Sequence, residues 1–235
     1  MRQGQVYTWQ DDAILHRFAG QDFDPAYWIG RGSAQPIDGG RGGSSRIHVD
    51  GRDYVLRRYL RGGMVQRVLE DQYLWTGLAS TRPAIEQRAV RHALDHQLPV
   101  PAVAAWQVLR RGLLYRAVII SRFIPHRSTL AGWLARQDLS VDDWASLGRL
   151  LRRMHEAGID HADLNADNIL IDESGDFYLI DFDRARIRPA GGDWRRGNLA
   201  RLQRSLLKIS RRLAGAERKF HFSDKDWQRL LAAYR

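Results

Sequence analysis

The chain has 235 residues, 44% of them hydrophobic, which is enough for one large domain or two small lobes with a stable core. No run reaches the roughly 18 uninterrupted apolar residues that a membrane-spanning helix needs, and the first residues lack the apolar core of a signal peptide, so a cytoplasmic location is expected. With no cysteine, disulfides and thiolate metal sites are excluded.

The net charge of +10 is unevenly placed. Residues 1–181 hold 22 arginines and 22 acidic residues, whereas residues 182–235 hold 15 Lys+Arg against 5 Asp+Glu, so the whole excess follows Asp181. An anionic partner for the C-terminal part follows: nucleic acid, an acidic membrane surface or an acidic substrate. A solvated basic face is the plain alternative.

Three stretches with strand character come first, Ala34 to Ile37, Ser45 to Val49 and Tyr54 to Tyr59. Glycine punctuates them, with Gly39-Gly40-Arg41-Gly42-Gly43 between the first two and a tight turn at Asp50-Gly51. A helix is expected over Pro83 to Leu94, with Pro83 in its first turn. Val100 to Val108 and Leu114 to Ile120 form a hairpin about Arg110-Arg111-Gly112. The first half therefore reads as a small antiparallel sheet of about five strands with one inserted helix.

The second half changes period. Ser140-Val141-Asp142-Asp143 resembles a capping box, and Trp144, Leu147, Leu151 and Met154 recur at helical spacing until Gly158 stops the helix. A polar loop, His161 to Asn168, is followed by strands at Ile169 to Ile171 and Phe177 to Ile180, the second ending on Asp181-Phe182-Asp183. Helices over Asn198 to about Leu213 and Asp224 to Tyr234 complete the chain.

The residues with the clearest chemistry are His161-Ala162-Asp163-Leu164-Asn165-Ala166-Asp167-Asn168 and, 13 residues after Asn168, Asp181-Phe182. Phosphoryl transfer needs an acid to orient or accept the proton of the attacking hydroxyl, and hard oxygen ligands for the magnesium that neutralises phosphate. Asp163 fits the first role, Asn168 and Asp181 the second, and His161 braces the loop. Asp and Asn also favour turns, which accounts for any one of these positions but not for all of them in this order.

Here the chain resembles the protein-kinase-like superfamily and, within it, the bacterial lipopolysaccharide kinases. The likeness rests on Gly39-Gly40-Arg41-Gly42, on Tyr54-Val55-Leu56-Arg57-Arg58-Tyr59 with Arg61-Gly62-Gly63, on Leu98-Pro99-Val100-Pro101, on His161 to Asn168, and on Asn198-Leu199-Ala200-Arg201-Leu202. It covers about residues 34–210. It implies an α+β, two-lobed protein-kinase-like fold: a small antiparallel sheet lobe with one helix over residues 1–122, and a reduced, mainly helical lobe over residues 123–235. It also implies ATP with Mg2+ in the cleft, and phosphate transfer to a 3-deoxy-D-manno-octulosonic acid (Kdo) sugar of the Kdo-lipid A precursor. The setting implied is the cytoplasmic face of the bacterial inner membrane, with peripheral attachment.

Departures from the protein-kinase pattern sharpen this. The three lysines, Lys208, Lys219 and Lys225, all follow Asp181, so Arg57 stands where the phosphate-pairing strand lysine is expected, with Glu86 as its ion-pair partner. Arg58 faces the other way on the strand. Gly40, Gly42 and Gly43 let backbone amides approach nucleotide phosphates, although an ordinary hairpin loop has the same composition. Ile119 to Phe123 links the lobes. The 54 residues after Asp181 leave no room for peptide-docking helices, so no protein substrate is expected.

Arg184, Arg186 and Arg188 alternate after the metal acid and are candidates for an anionic substrate. Arg195, Arg196, Arg201, Arg204, Lys208, Arg211 and Arg212, interleaved with Leu202, Leu206 and Leu207, make a basic amphipathic stretch suited to an anionic membrane surface. A packed helix with a solvated charged face has the same pattern. Other readings stay open: a kinase for a core heptose or a small metabolite, a pseudokinase scaffold, or a nucleic-acid-binding module. No zinc or RNA-recognition signature supports the last, so no nucleic acid is expected.

Overall fold

The computed structural model describes residues 4–37, 43–60, 71–189 and 191–235. The chain divides into two compact units, Met1–Arg88 with Pro101–Phe123, and Ala89–Val100 with Ile124–Arg235. Residues 89–100 join the second unit.

The first unit contains β1 (Gln5–Gln10), a short helix α1 (Pro25–Gly30), β2 (Ala34–Pro36), β3 (Ser44–Val49), β4 (Arg52–Arg58), β5 (Tyr73–Leu74), the start of α2 (Arg82–Asp95), β6 (Val103–Arg111) and β7 (Leu114–Arg122). The strands form one antiparallel sheet in the order β1-β6-β7-β4-β3-β2, with β5 pairing to β7. Among the described residues seven strands stand where about five are read from the sequence. β1 has no buried residue and β5 has two residues, so neither carries a hydrophobic period long enough to read. Asp50 (φ 48°) and Gly51 (φ 75°) both adopt the left-handed conformation that a two-residue hairpin turn requires. Alternation along β3 and β4 buries Ile47, Val49, Tyr54 and Leu56 against Phe18, Phe23, Trp28 and Ile120. The opposite parity of β4 carries Val55 and Arg57.

The second unit holds the end of α2, then β8 (His126–Thr129), α3 (Leu130–Leu134), α4 (Val141–Glu156), β9 (Ile159–Asp160), β10 (Ile169–Asp172), β11 (Phe177–Leu179), β12 (Arg186–Ile187), α5 (Trp194–Ala214) and α6 (Asp224–Tyr234). Two small antiparallel sheets, β11-β10-β8 and β12-β9, lie among the helices. The fold is thus α+β, with a mainly helical second unit, as expected.

α4 begins with the capping box expected of its sequence: the Asp143 amide donates to Ser140 Oγ at 3.1 Å and the Ser140 amide to Asp143 Oδ2 at 2.9 Å. Trp144, Leu147, Leu151 and Met154 are all buried. α4 packs on α6 at Gly148, where a β-carbon would lie 2.3 Å from the Leu230 carbonyl oxygen. α5 starts four residues before the expected position, because Trp194 to Gly197 add a polar first turn without apolar spacing.

Candidate active site

The polar loop hangs between α4 and β10, and backbone chemistry fixes its entry. Gly158 ends α4 with φ 72°, accepts the Arg188 amide at 2.8 Å, and has space for no β-carbon, which would meet the Arg188 carbonyl oxygen at 2.3 Å. β9 then pairs with β12, so the segment after Asp183 is tied back to the loop's entry.

Inside the loop, Asn165 caps a single turn at residues 166–168 by accepting the amides of Asp167 (2.9 Å) and Asn168 (3.2 Å). Its own amide nitrogen donates to the Asp163 carbonyl at 3.0 Å, and the Asn168 amide nitrogen donates to the same carbonyl at 3.0 Å. That bond directs Asn168 Nδ2 inward and leaves Oδ1 as the acceptor on the other branch of the amide. The Asn168 carbonyl in turn accepts the Ile180 amide at 3.0 Å, joining the loop to the residue before Asp181.

His161 closes the circuit. It is 1% exposed, and burial lowers its pKa, so the ring is neutral and Nε2–H donates to the Ile180 carbonyl at 2.9 Å. The carboxylates of Asp181 and Asp163 both act on it electrostatically in the opposite direction. Phe182 is buried edge-on against its ring, with centroids 4.9 Å apart. Asp181 sits at φ 63°, a conformation uncommon outside glycine, asparagine and aspartate. Asp163, Asn168 and Asp181 are each half-buried.

Sequence reasoning missed the polar layer beneath. Asp160 is buried and accepts Asn198 Nδ2 at 2.9 Å and Arg188 Nε at 2.6 Å. Arg188 is therefore held by Asp160 instead of projecting with its neighbours. Residues 183–184 form a turn, so the expected alternation is interrupted, while Arg184 and Arg186 are exposed. Asn198 and Asp160 are 38 residues apart in the chain, a separation that no local pattern reveals. An acid in an apolar setting, Gly158-Ile159-Asp160, was the available signal.

In the first unit, Arg57 Nη2 donates to both carboxylate oxygens of Glu86, at 2.6 and 2.7 Å. Glu86 is 6% exposed and also accepts the Tyr59 hydroxyl at 2.5 Å. Burial raises the Tyr59 pKa, so the phenol keeps its proton for that bond. Arg58 is exposed. Gly43 accepts the Arg58 amide at 2.9 Å. Gly40 and Gly42, with Arg61, Gly62 and Gly63, lie outside the described residues.

Among the described residues no three His, Asp or Glu side chains form a cluster able to hold a metal by themselves. The donor set fits magnesium in another way: Asn168 and Asp181 offer two hard oxygens, and Mg2+ characteristically takes one or two protein ligands with water and phosphate completing its shell. On α5, Leu202 and Leu206 are buried within the unit, while Arg196, Arg201, Arg204, Lys208, Arg211 and Arg212 are exposed. The stretch is a packed helix with a basic solvent face; Leu202 and Leu206 are not available to a bilayer, and Leu207 is half-buried.

An antiparallel sheet bearing an arginine–glutamate pair, and a mainly helical unit bearing H-x-D-L-x-x-x-N and then D-F, define a kinase-like phosphotransferase. The chain belongs to the Lipopolysaccharide kinase (Kdo/WaaP) family, whose match spans residues 33–234. It is 45% identical over 213 residues to the 3-deoxy-D-manno-octulosonic acid kinase of Xanthomonas campestris pv. campestris, covering 90% of this chain and 82% of the relative. Over 212 residues it is 42% identical to the protein of the same name from Xylella fastidiosa, again covering 90% and 82%. The corresponding protein of Xanthomonas oryzae pv. oryzae is 43% identical over 213 residues. Among the described residues no helix is long and apolar enough to cross a membrane.

Proposed function

We propose that the chain transfers the terminal phosphate of ATP to a hydroxyl of a Kdo sugar on the Kdo-lipid A precursor, during assembly of the lipopolysaccharide core. The observation that carries this reading is 42–45% identity, across nine-tenths of the chain, to relatives bearing the Kdo kinase name. The H-x-D-L-x-x-x-N loop chemistry of this chain supports it.

Asp163 orients the acceptor hydroxyl and takes its proton as the bond to phosphorus forms. Its backbone carbonyl receives the Asn165 and Asn168 side chains, which anchors the backbone that bears the carboxylate. Asn168 Oδ1 and the Asp181 carboxylate are the proposed magnesium ligands. When bound, magnesium supplies charge neutralisation at the phosphate oxygens. His161 holds the peptide that precedes Asp181. In the first unit, Arg57, held by Glu86, is the proposed nucleotide-phosphate clamp, together with the Gly40, Gly42 and Gly43 loop. Exposed Arg184 and Arg186 are the proposed contacts for the anionic acceptor.

The exposed arginines and lysine of α5 support peripheral attachment to an anionic inner-membrane surface by charge alone. Incubation with labelled ATP, Mg2+ and a panel of acceptors tests the activity. Label is expected on Kdo-lipid A precursor; label only on heptose-bearing core or on a small metabolite overturns the acceptor.

A further inference from the structure

Unexplained by the roles above is a hydrogen-bonded path from the second-to-last residue of the chain to the catalytic loop. Tyr234, on the last turn of α6, places its hydroxyl 2.8 Å from His155 Nδ1. His155, on α4, is fully buried, and its Nε2 lies 3.3 Å from Asn198 Oδ1 on α5. The same Asn198 oxygen accepts the backbone amide of His161 at 2.9 Å. His161 then donates to the Ile180 carbonyl, next to Asp181.

Every proton in this path has one place to sit. Asn198 Nδ2 donates to Asp160, so Oδ1 faces His155 and must be the acceptor there. His155 Nε2 therefore carries the ring proton. Nδ1 is then the bare nitrogen, and the Tyr234 hydroxyl donates to it. Burial keeps the ring neutral, with its pKa lowered to about 4. The Trp194 and Tyr234 rings pack edge-on against it at 5.2 and 5.5 Å, so it has no room to turn. A buried histidine nitrogen without a partner costs free energy, which is why removing the tyrosine hydroxyl is felt along the path and not only at the surface.

We propose that Tyr234, His155 and Asn198 are positioning residues for phosphoryl transfer: the Tyr234 hydroxyl on the C-terminal helix satisfies the His155 nitrogen that Asn198 leaves bare, which holds the ring on Asn198 and, through Asn198, the backbone of the loop that carries Asp163. The inference rests on the kinase reading for its rate arm, but not for its spectroscopic arm. Misplacing a catalytic group by a fraction of an ångström lowers turnover without changing which substrates bind.

The test uses the full chain with Tyr234→Phe, which keeps the ring and its packing and deletes one oxygen. Hydrogen exchange at the His161 amide is expected to quicken roughly tenfold, and kcat to fall roughly tenfold with both KM values within about twofold of wild type. His155→Gln, whose amide nitrogen can still donate to Asn198 Oδ1, is expected to keep several-fold more of kcat than His155→Leu. Unchanged His161 exchange in Tyr234→Phe overturns the proposal, as does a loss expressed in KM with kcat preserved. If wild type fails to phosphorylate Kdo, the acceptor reading falls while the exchange measurement still decides this one.

Discussion

Arg57 Nη2 lies 2.6 Å from Glu86 Oε1 and 2.7 Å from Oε2, so one nitrogen on β4 satisfies both oxygens of a nearly buried carboxylate on α2. Removing the arginine leaves that negative charge in a low-dielectric setting, which costs more than the pair itself contributes. Arg57→Ala is expected to lower stability by about 3 kcal/mol in urea unfolding, whereas Arg57→Leu combined with Glu86→Leu recovers most of that loss and remains inactive. A double variant as unstable as the single one contradicts this account of the pair. An active double variant removes Arg57 from nucleotide binding.

Gly148 is the contact point of α4 and α6, with the Leu230 carbonyl only 2.3 Å from where a β-carbon would stand. Gly148→Ala forces the helices apart, and overpacking of this kind costs about 1–3 kcal/mol despite the gain in helix propensity. A lower thermal midpoint is the expected outcome; an unchanged or higher one refutes the close-packing argument.

The buried histidine on α4 also sets an acid limb. Its ordinary pKa of 6.5 falls to about 4 in the folded chain. Between those values the unfolded chain binds the proton and the folded chain does not, so stability rises with pH across this window. The contribution is complete above about 6.5 and is lost as pH falls toward about 4, a change on the order of 3 kcal/mol. His161 is shifted in the same direction by its own burial and adds to the same limb. Urea midpoints measured down this range are expected to decline, and His155→Gln to flatten the decline. A decline equally steep in the variant assigns it elsewhere.

Much of this architecture is legible without coordinates where sequence-local chemistry decides it. The Ser140 capping box, the Trp144–Met154 spacing and the Asp50-Gly51 turn each specify their element within a few residues, and each is found as read. The loop motif is likewise contiguous. What the sequence hides is long-range pairing: β1 meets β6 through residues about a hundred positions apart, as Gln5 opposite Arg110, and Asp160 meets Asn198 across 38 positions, mostly loop and strand. Arg188 shows the converse. Its place in an alternating arginine series pointed outward, but a buried aspartate nearby needs a cation, and that need outweighs the pattern.

Surface charge on α5 gives a separate prediction. Arg201, Arg204 and Lys208 are exposed while Leu202 and Leu206 are buried, so the proposed attraction to anionic lipid is electrostatic, with each cation near the surface expected to contribute about 1 kcal/mol. Arg201→Glu, Arg204→Glu and Lys208→Glu together are expected to weaken sedimentation with anionic vesicles by at least roughly tenfold, and salt to weaken wild-type binding. Undiminished binding by the triple variant removes α5 from the membrane contact.

The most direct measurement is turnover and nucleotide affinity of Asp163→Asn beside Asp181→Asn, with Kdo-lipid A precursor as acceptor. Asparagine tolerates the left-handed backbone at 181, so each change removes a charge and leaves the chain's path intact. Asp163→Asn is expected to lose roughly 100- to 10,000-fold in kcat with ATP affinity retained, and Asp181→Asn to lose magnesium-dependent ATP binding. Wild-type turnover in either variant would contradict the assignment of these two acids to one phosphoryl transfer.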